Sequence, residues 1–103
     1  MTRYGLAPSA ATDLLEIFRY TKRTWGQEQA RRYREELDLA VQQLSLSPDL
    51  GRRREEIAPG LRSHPVAQHI AFYIQRKDRV TILRILHPRM NVDVAFEQEG
   101  KRV

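Results

Sequence analysis

The spacing of apolar residues changes once along this chain, and that change limits the folds open to it. Up to Leu46 they recur at steps of three and four; from His69 onward they recur at steps of two. The first spacing lines one side of a helix, and the second lines one face of a strand. Ala11, Leu14, Phe18, Thr21 and Trp25 form a stripe on a helix that begins at Pro8, where a missing N–H costs nothing, and ends at Gly26. Trp25, closing the stripe, is expected in the core. A second helix runs from Gln27 to about Leu46, with Ala30, Tyr33, Leu37, Ala40, Val41 and Leu44 on one side. Its other side places Glu28 with Arg32, Arg32 with Glu36, and Arg34 with Asp38 at i,i+4 spacing. So short a turn makes the two helices an antiparallel hairpin.

Tyr4 and Leu6 alternate with small or polar residues over positions 3–7, the pattern of a short N-terminal strand. Residues 47–60 read as a loop with two Pro and two Gly. Positions 61–67 contain Pro65, which suits an edge strand. The alternating run 69–75, the polar turn at 76–79 and the run 80–87 form a β-hairpin. Its last strand is apolar on both faces, with Val80, Ile82 and Leu86 on one and Leu83 and Ile85 on the other, so it is expected at the centre of a sheet. The resulting fold class is α+β over a single domain, residues 1–103. A short N-terminal strand and an antiparallel two-helix hairpin lead into a three-strand antiparallel meander, and the helices pack on one face of the sheet.

Charge sorts unevenly along this order. The net charge is +5, and residues 52–103 hold eleven basic and six acidic side chains while the earlier half is balanced. Fifteen of the eighteen basic residues are Arg, whose planar fork suits carboxylates and phosphates. An acidic partner or a polyanion is therefore expected for the second half. The absence of Cys excludes disulfide scaffolds, Cys-ligated zinc and Cys nucleophiles. With no apolar run long enough to span a bilayer and no signal-peptide pattern at the start, a cytoplasmic protein without a membrane partner is expected.

Arg84 breaks the alternation of the best-defined strand, where it is the only charge between Val80 and Leu86. Three readings stand: an Arg lying across the sheet with its stem packed, an ion pair with a carboxylate, or a functional site. Arg62 has a similar place in the preceding strand, and His87 lies where the last strand ends. The residues His64, His69 and His87 lack metal-ligand spacing, so neither metal nor cofactor is expected. Arg52, Arg53 and Arg54 read as a solvated loop more readily than as a phosphate site. No Gly-rich phosphate loop or nucleophile elbow is present, and no small-molecule substrate is implied.

Several short motifs share one order. They are Asp13-Leu14-x-Glu16-Ile17, Trp25-Gly26, Gln29-Ala30-x-x-Tyr33, Pro48-x-x-Gly51-Arg52, Gly60-Leu61-Arg62 and Arg84-Ile85-Leu86-His87-x-Arg89-Met90. Together, from Tyr4 to about Met90, the chain resembles the ParE branch of the RelE/ParE toxin superfamily. The resemblance implies the toxin of a type II toxin-antitoxin system, one that poisons DNA gyrase by binding rather than by catalysis and is held inactive in a hetero-oligomer with a ParD-like antitoxin. Arg62, Tyr73, Arg84, His87, Arg89 and Met90 are then candidates for partner contacts, and the tail after Met90 for the gyrase surface. The alternative is a ribosome-dependent endoribonuclease of the RelE or YoeB type. The Lys, Arg and C-terminal Tyr set of RelE-like toxins is broken here, because no Tyr follows Tyr73. Glu56, Arg62 and His87 imitate the YoeB-like set, with Pro88 where that set has an aromatic. An antitoxin is expected to present an acidic, apolar-anchored segment to the helical groove and the Arg-rich half.

Overall fold

A computed structural model describes residues 3–89 and Phe96. Met90 and the rest of the tail apart from Phe96 lie outside the described residues. The chain opens with strand β1 (Arg3–Leu6), followed by helices α1 (Pro8–Trp25) and α2 (Gln27–Leu46). One residue separates the helices. Gly26 has φ +94°, a region that residues with a Cβ rarely enter. Its N–H closes α1 on the Lys22 carbonyl at 3.0 Å, and its own carbonyl accepts the Ala30 N–H of α2 at 3.1 Å.

α2 buries the side anticipated from spacing: Ala30, Tyr33, Leu37, Val41 and Leu44 are all buried. α1 does not. Its buried positions are Ala10 and Asp13, and Leu14 and Ile17 pack against the core beside them. Ala11 is exposed, and Trp25 is 71% exposed. The helix is therefore rotated from the apolar stripe, because a carboxylate occupies its inward face. On the outer surface of α2 the expected Glu28–Arg32 pair is present at 3.5 Å, and Arg31 adds contacts to Glu28 at i,i+3 and Glu35 at i,i+4.

The stretch 47–60 contains more structure than a loop. A 3-10 turn at Pro48–Leu50 is followed by strand β2 (Arg52–Arg53), whose two residues pair antiparallel with Ser63 and Arg62. Strands β3 (Arg62–Val66), β4 (His69–Arg76) and β5 (Arg79–Leu86) then form the expected antiparallel meander. The sheet order is β1-β5-β4-β3-β2, so β5 is an interior strand between β1 and β4, the middle place falls to β4, and β2 takes the edge expected of the Pro65 strand. Pro65 lies beyond the two-residue reach of β2, where its missing donor is harmless. β1 joins β5 in parallel, with Tyr4 opposite Val80 and Leu6 opposite Ile82. The sheet is thus mixed, since residue alternation in β1 carries no information about strand direction.

A bulge corrects the faces assigned to β5. Tyr73 lies opposite Ile82, yet Phe72 lies opposite Arg84, so β5 carries one extra residue at this point. Such an insertion reverses the alternation beyond it. Val80, Ile82 and Ile85 consequently share the core under the helices with Ala71 and Tyr73. Leu83 and Leu86 belong instead to a second cluster with Leu61, Phe72 and Phe96. Ile57 and Ala58, between β2 and β3, cover that cluster.

Candidate functional site

A cleft of about 900 Å³ opens where the outer part of α1 and the first turns of α2 meet the β3–β4 turn and the end of β5. Its floor is polar and organised. The Tyr33 hydroxyl accepts the Gln68 N–H at 2.9 Å and lies 2.6 Å from His69 Nδ1. Burial pushes the Tyr33 pKa up. Burial also pushes that of His69 down, with His87 acting in the same direction and Asp13 opposing. The His69 and His87 rings meet edge to face at 5.9 Å between centroids. Glu16, Glu36, Tyr20 and Trp25 line the mouth.

Asp13 completes the wall and is paired with Arg84, which does not itself line the cleft. Arg84 Nε and Nη2 donate to the two Asp13 carboxylate oxygens at 2.8 and 3.0 Å. Asp13 Oδ2 also accepts the Ile85 N–H at 3.0 Å. Of the three readings for Arg84, the ion pair is the one observed.

Other expected partner contacts are also committed internally. Tyr73 is fully buried. Its hydroxyl donates to the Pro48 carbonyl at 2.5 Å and accepts the Gly51 N–H at 2.9 Å, so it cannot offer a surface. Arg62 Nη1 donates to the Gly51 carbonyl at 2.8 Å, which clamps the same turn. Arg54 leaves the solvated loop assigned to it, lying 5.7 Å from the Phe72 ring centroid with its Nε on Glu56 at 2.8 Å. His87 and Arg89 do face solvent, and the Arg89 N–H donates to His87 Nδ1 at 3.1 Å. Met90 lies outside the described residues. Glu56, Arg62 and His87 do not converge: of the three, only His87 lines the cleft. Among the described residues, no three His, Asp or Glu side chains are grouped to hold a metal ion.

The sequence points to a groove at the helical hairpin but not to its Tyr33–His69 floor. Tyr33 belongs to the core, as its spacing implies, and its hydroxyl also reaches the cleft, while His69 reads in the sequence as a strand residue and as a His without metal-ligand spacing. The available signal was the clustering of two of the three His residues at the two ends of the β4–β5 hairpin.

Residues 4–92 match the family of ParE toxins of type II toxin-antitoxin systems, parDE. The chain belongs to the ParE toxin family. Curated ParE relatives align over nearly their whole length. Toxin ParE1 of Mycobacterium tuberculosis is 38% identical over 93 residues, covering 89% of this chain and 95% of the relative. Toxin ParE1 of Caulobacter vibrioides is 35% identical over 91 residues, covering 88% and 94%. Toxin ParE of Escherichia coli is 34% identical over 93 residues, covering 89% and 90%. The ParE fold is matched by a solved structure, the chromosomal ParDE TA system from P. aeruginosa, with a TM-score of 0.73 and 24% identity over 84% of this chain and 96% of that one. Among the described residues of this ParE-family chain, no helix is long and apolar enough to cross a membrane.

Proposed function

We infer that the chain, as one toxin domain acting in the cytoplasm, inhibits DNA gyrase by binding and traps it with cleaved DNA, and that a ParD-like antitoxin neutralises it in a hetero-oligomer. Membership in the ParE family supports this reading most directly. The arrangement of the RNase-like residues favours it too. An RNA-cleaving site needs a base, an acid and a cation converging on one phosphate. Arg62 is tied to the Gly51 carbonyl, Glu56 pairs with Arg54, and neither lines the cleft that contains His87. Inhibition by binding needs only surface, and Arg52, Arg53, Arg76, Arg79 and Arg89 are exposed for it.

Expression of the chain alone should filament cells and induce the DNA-damage response, and co-expression of the antitoxin should restore growth. Growth arrest with intact DNA and cleaved mRNA would overturn the gyrase assignment.

A further inference from the structure

The cleft beside the helical hairpin has a charge opposite to that of the chain that carries it. The chain is +5 overall, yet no described Lys or Arg lines the cleft, whose carboxylates are Asp13, Glu16 and Glu36. Arg84 neutralises Asp13. Glu16 and Glu36 form no ion pair among the described residues. The two most exposed aromatic side chains stand with them: Tyr20 is 60% and Trp25 71% exposed. Carboxylates attract a cation, and the face of an indole or phenol ring attracts the same cation through its quadrupole. A guanidinium or ammonium group satisfies both at once, whereas an acidic segment would be repelled.

We propose that this cleft docks a basic segment of the antitoxin, with an Arg or Lys side chain held against Glu16, Glu36, Tyr20 and Trp25. This rests on the reading that an antitoxin neutralises the chain. It alters the expectation of an acidic segment at the helical groove. The antitoxin meets an acidic aromatic cleft on one side of the domain and exposed Arg52 and Arg53 on the sheet edge, so its segment carries both signs in a fixed order. Opposed charges of this kind set register as well as affinity.

The test measures affinity of the full chain for its antitoxin by calorimetry, using wild type and the double variant Glu16→Gln/Glu36→Gln. Both side chains are exposed, and a thermal melt checks that the fold is intact. Neutralising the pair is expected to weaken binding about tenfold at low ionic strength, and added salt should narrow that difference. Trp25 is the only Trp, so fluorotryptophan labelling gives one fluorine resonance, which should shift when the antitoxin binds. Unchanged affinity and an unmoved resonance, with the antitoxin still bound, would overturn the cleft assignment and leave neutralisation standing. Failure of the antitoxin to bind wild type would overturn both. Self-association of the toxin alone that disappears in the double variant would assign the cleft to a second copy and overturn the proposal.

Discussion

Asp13 on α1 and Arg84 on β5 lie 71 positions apart in sequence and meet as a two-pronged ion pair, with side chains only 10% and 16% exposed. The same carboxylate accepts the Ile85 N–H next to the β5 bulge. One side chain thereby ties the helical hairpin to the interior strand β5. Removing one partner of a buried pair leaves the other charge uncompensated, so Asp13→Ala should cost about 3 kcal/mol in urea denaturation. A loss below about 1 kcal/mol would mean that Arg84 finds water instead.

The Tyr73 hydroxyl holds the turn that precedes β2, through the Pro48 carbonyl and the Gly51 N–H. Tyr73→Phe leaves both groups without this partner and should destabilise the chain by about 2 kcal/mol. Gly51 gives the ring its room: a Cβ there would overlap the Tyr73 hydroxyl. Gly51→Ala should therefore be destabilising in the same denaturation assay. A neutral result at Gly51 would contradict the close approach.

Burial, together with His87, lowers the His69 pKa below its ordinary 6.5 in the folded chain. Between the folded and unfolded values the unfolded chain takes up a proton that the folded chain does not. Stability from this group is therefore full above about pH 6.5 and is lost as pH falls through the folded pKa. The denaturation midpoint of wild type should fall on mild acidification, and His69→Gln should flatten that fall. Equal slopes for the two proteins would exclude His69 as the cause.

Trp25 lies outside the core, so Trp25→Ala should change stability by no more than about 0.5 kcal/mol, as for an ordinary surface position. The same substitution at a core Trp would cost several times more. A large loss in thermal denaturation would restore Trp25 to the core.

Apart from the 3-10 turn and the two-residue β2, which are too short to show a period, element types and their order were legible because helix and strand periods differ and Gly26 and Pro8 mark boundaries. Three features were not. The parallel placement of β1 depends on where the helical hairpin returns the chain, which no local pattern encodes. The β5 bulge exchanges Ile85 and Leu86 between faces without altering composition. The inward face of α1 contains Asp13, which apolar periodicity scores as outward unless Arg84 is known to meet it. Several residues singled out for partner contact came from motifs shared with a family. Asp13 joins Arg84 and Gly51 joins Arg62 across the fold, so these motif residues hold the framework together.

The central claim is inhibition of gyrase by binding. Purified chain incubated with gyrase, ATP and supercoiled plasmid, then treated with detergent and protease, tests it most directly. The account predicts accumulation of linear DNA with gyrase covalently attached before proteolysis, abolished by prior addition of the antitoxin. Undisturbed supercoiling with no cleaved DNA, together with mRNA cut on the ribosome by the same preparation, would contradict it.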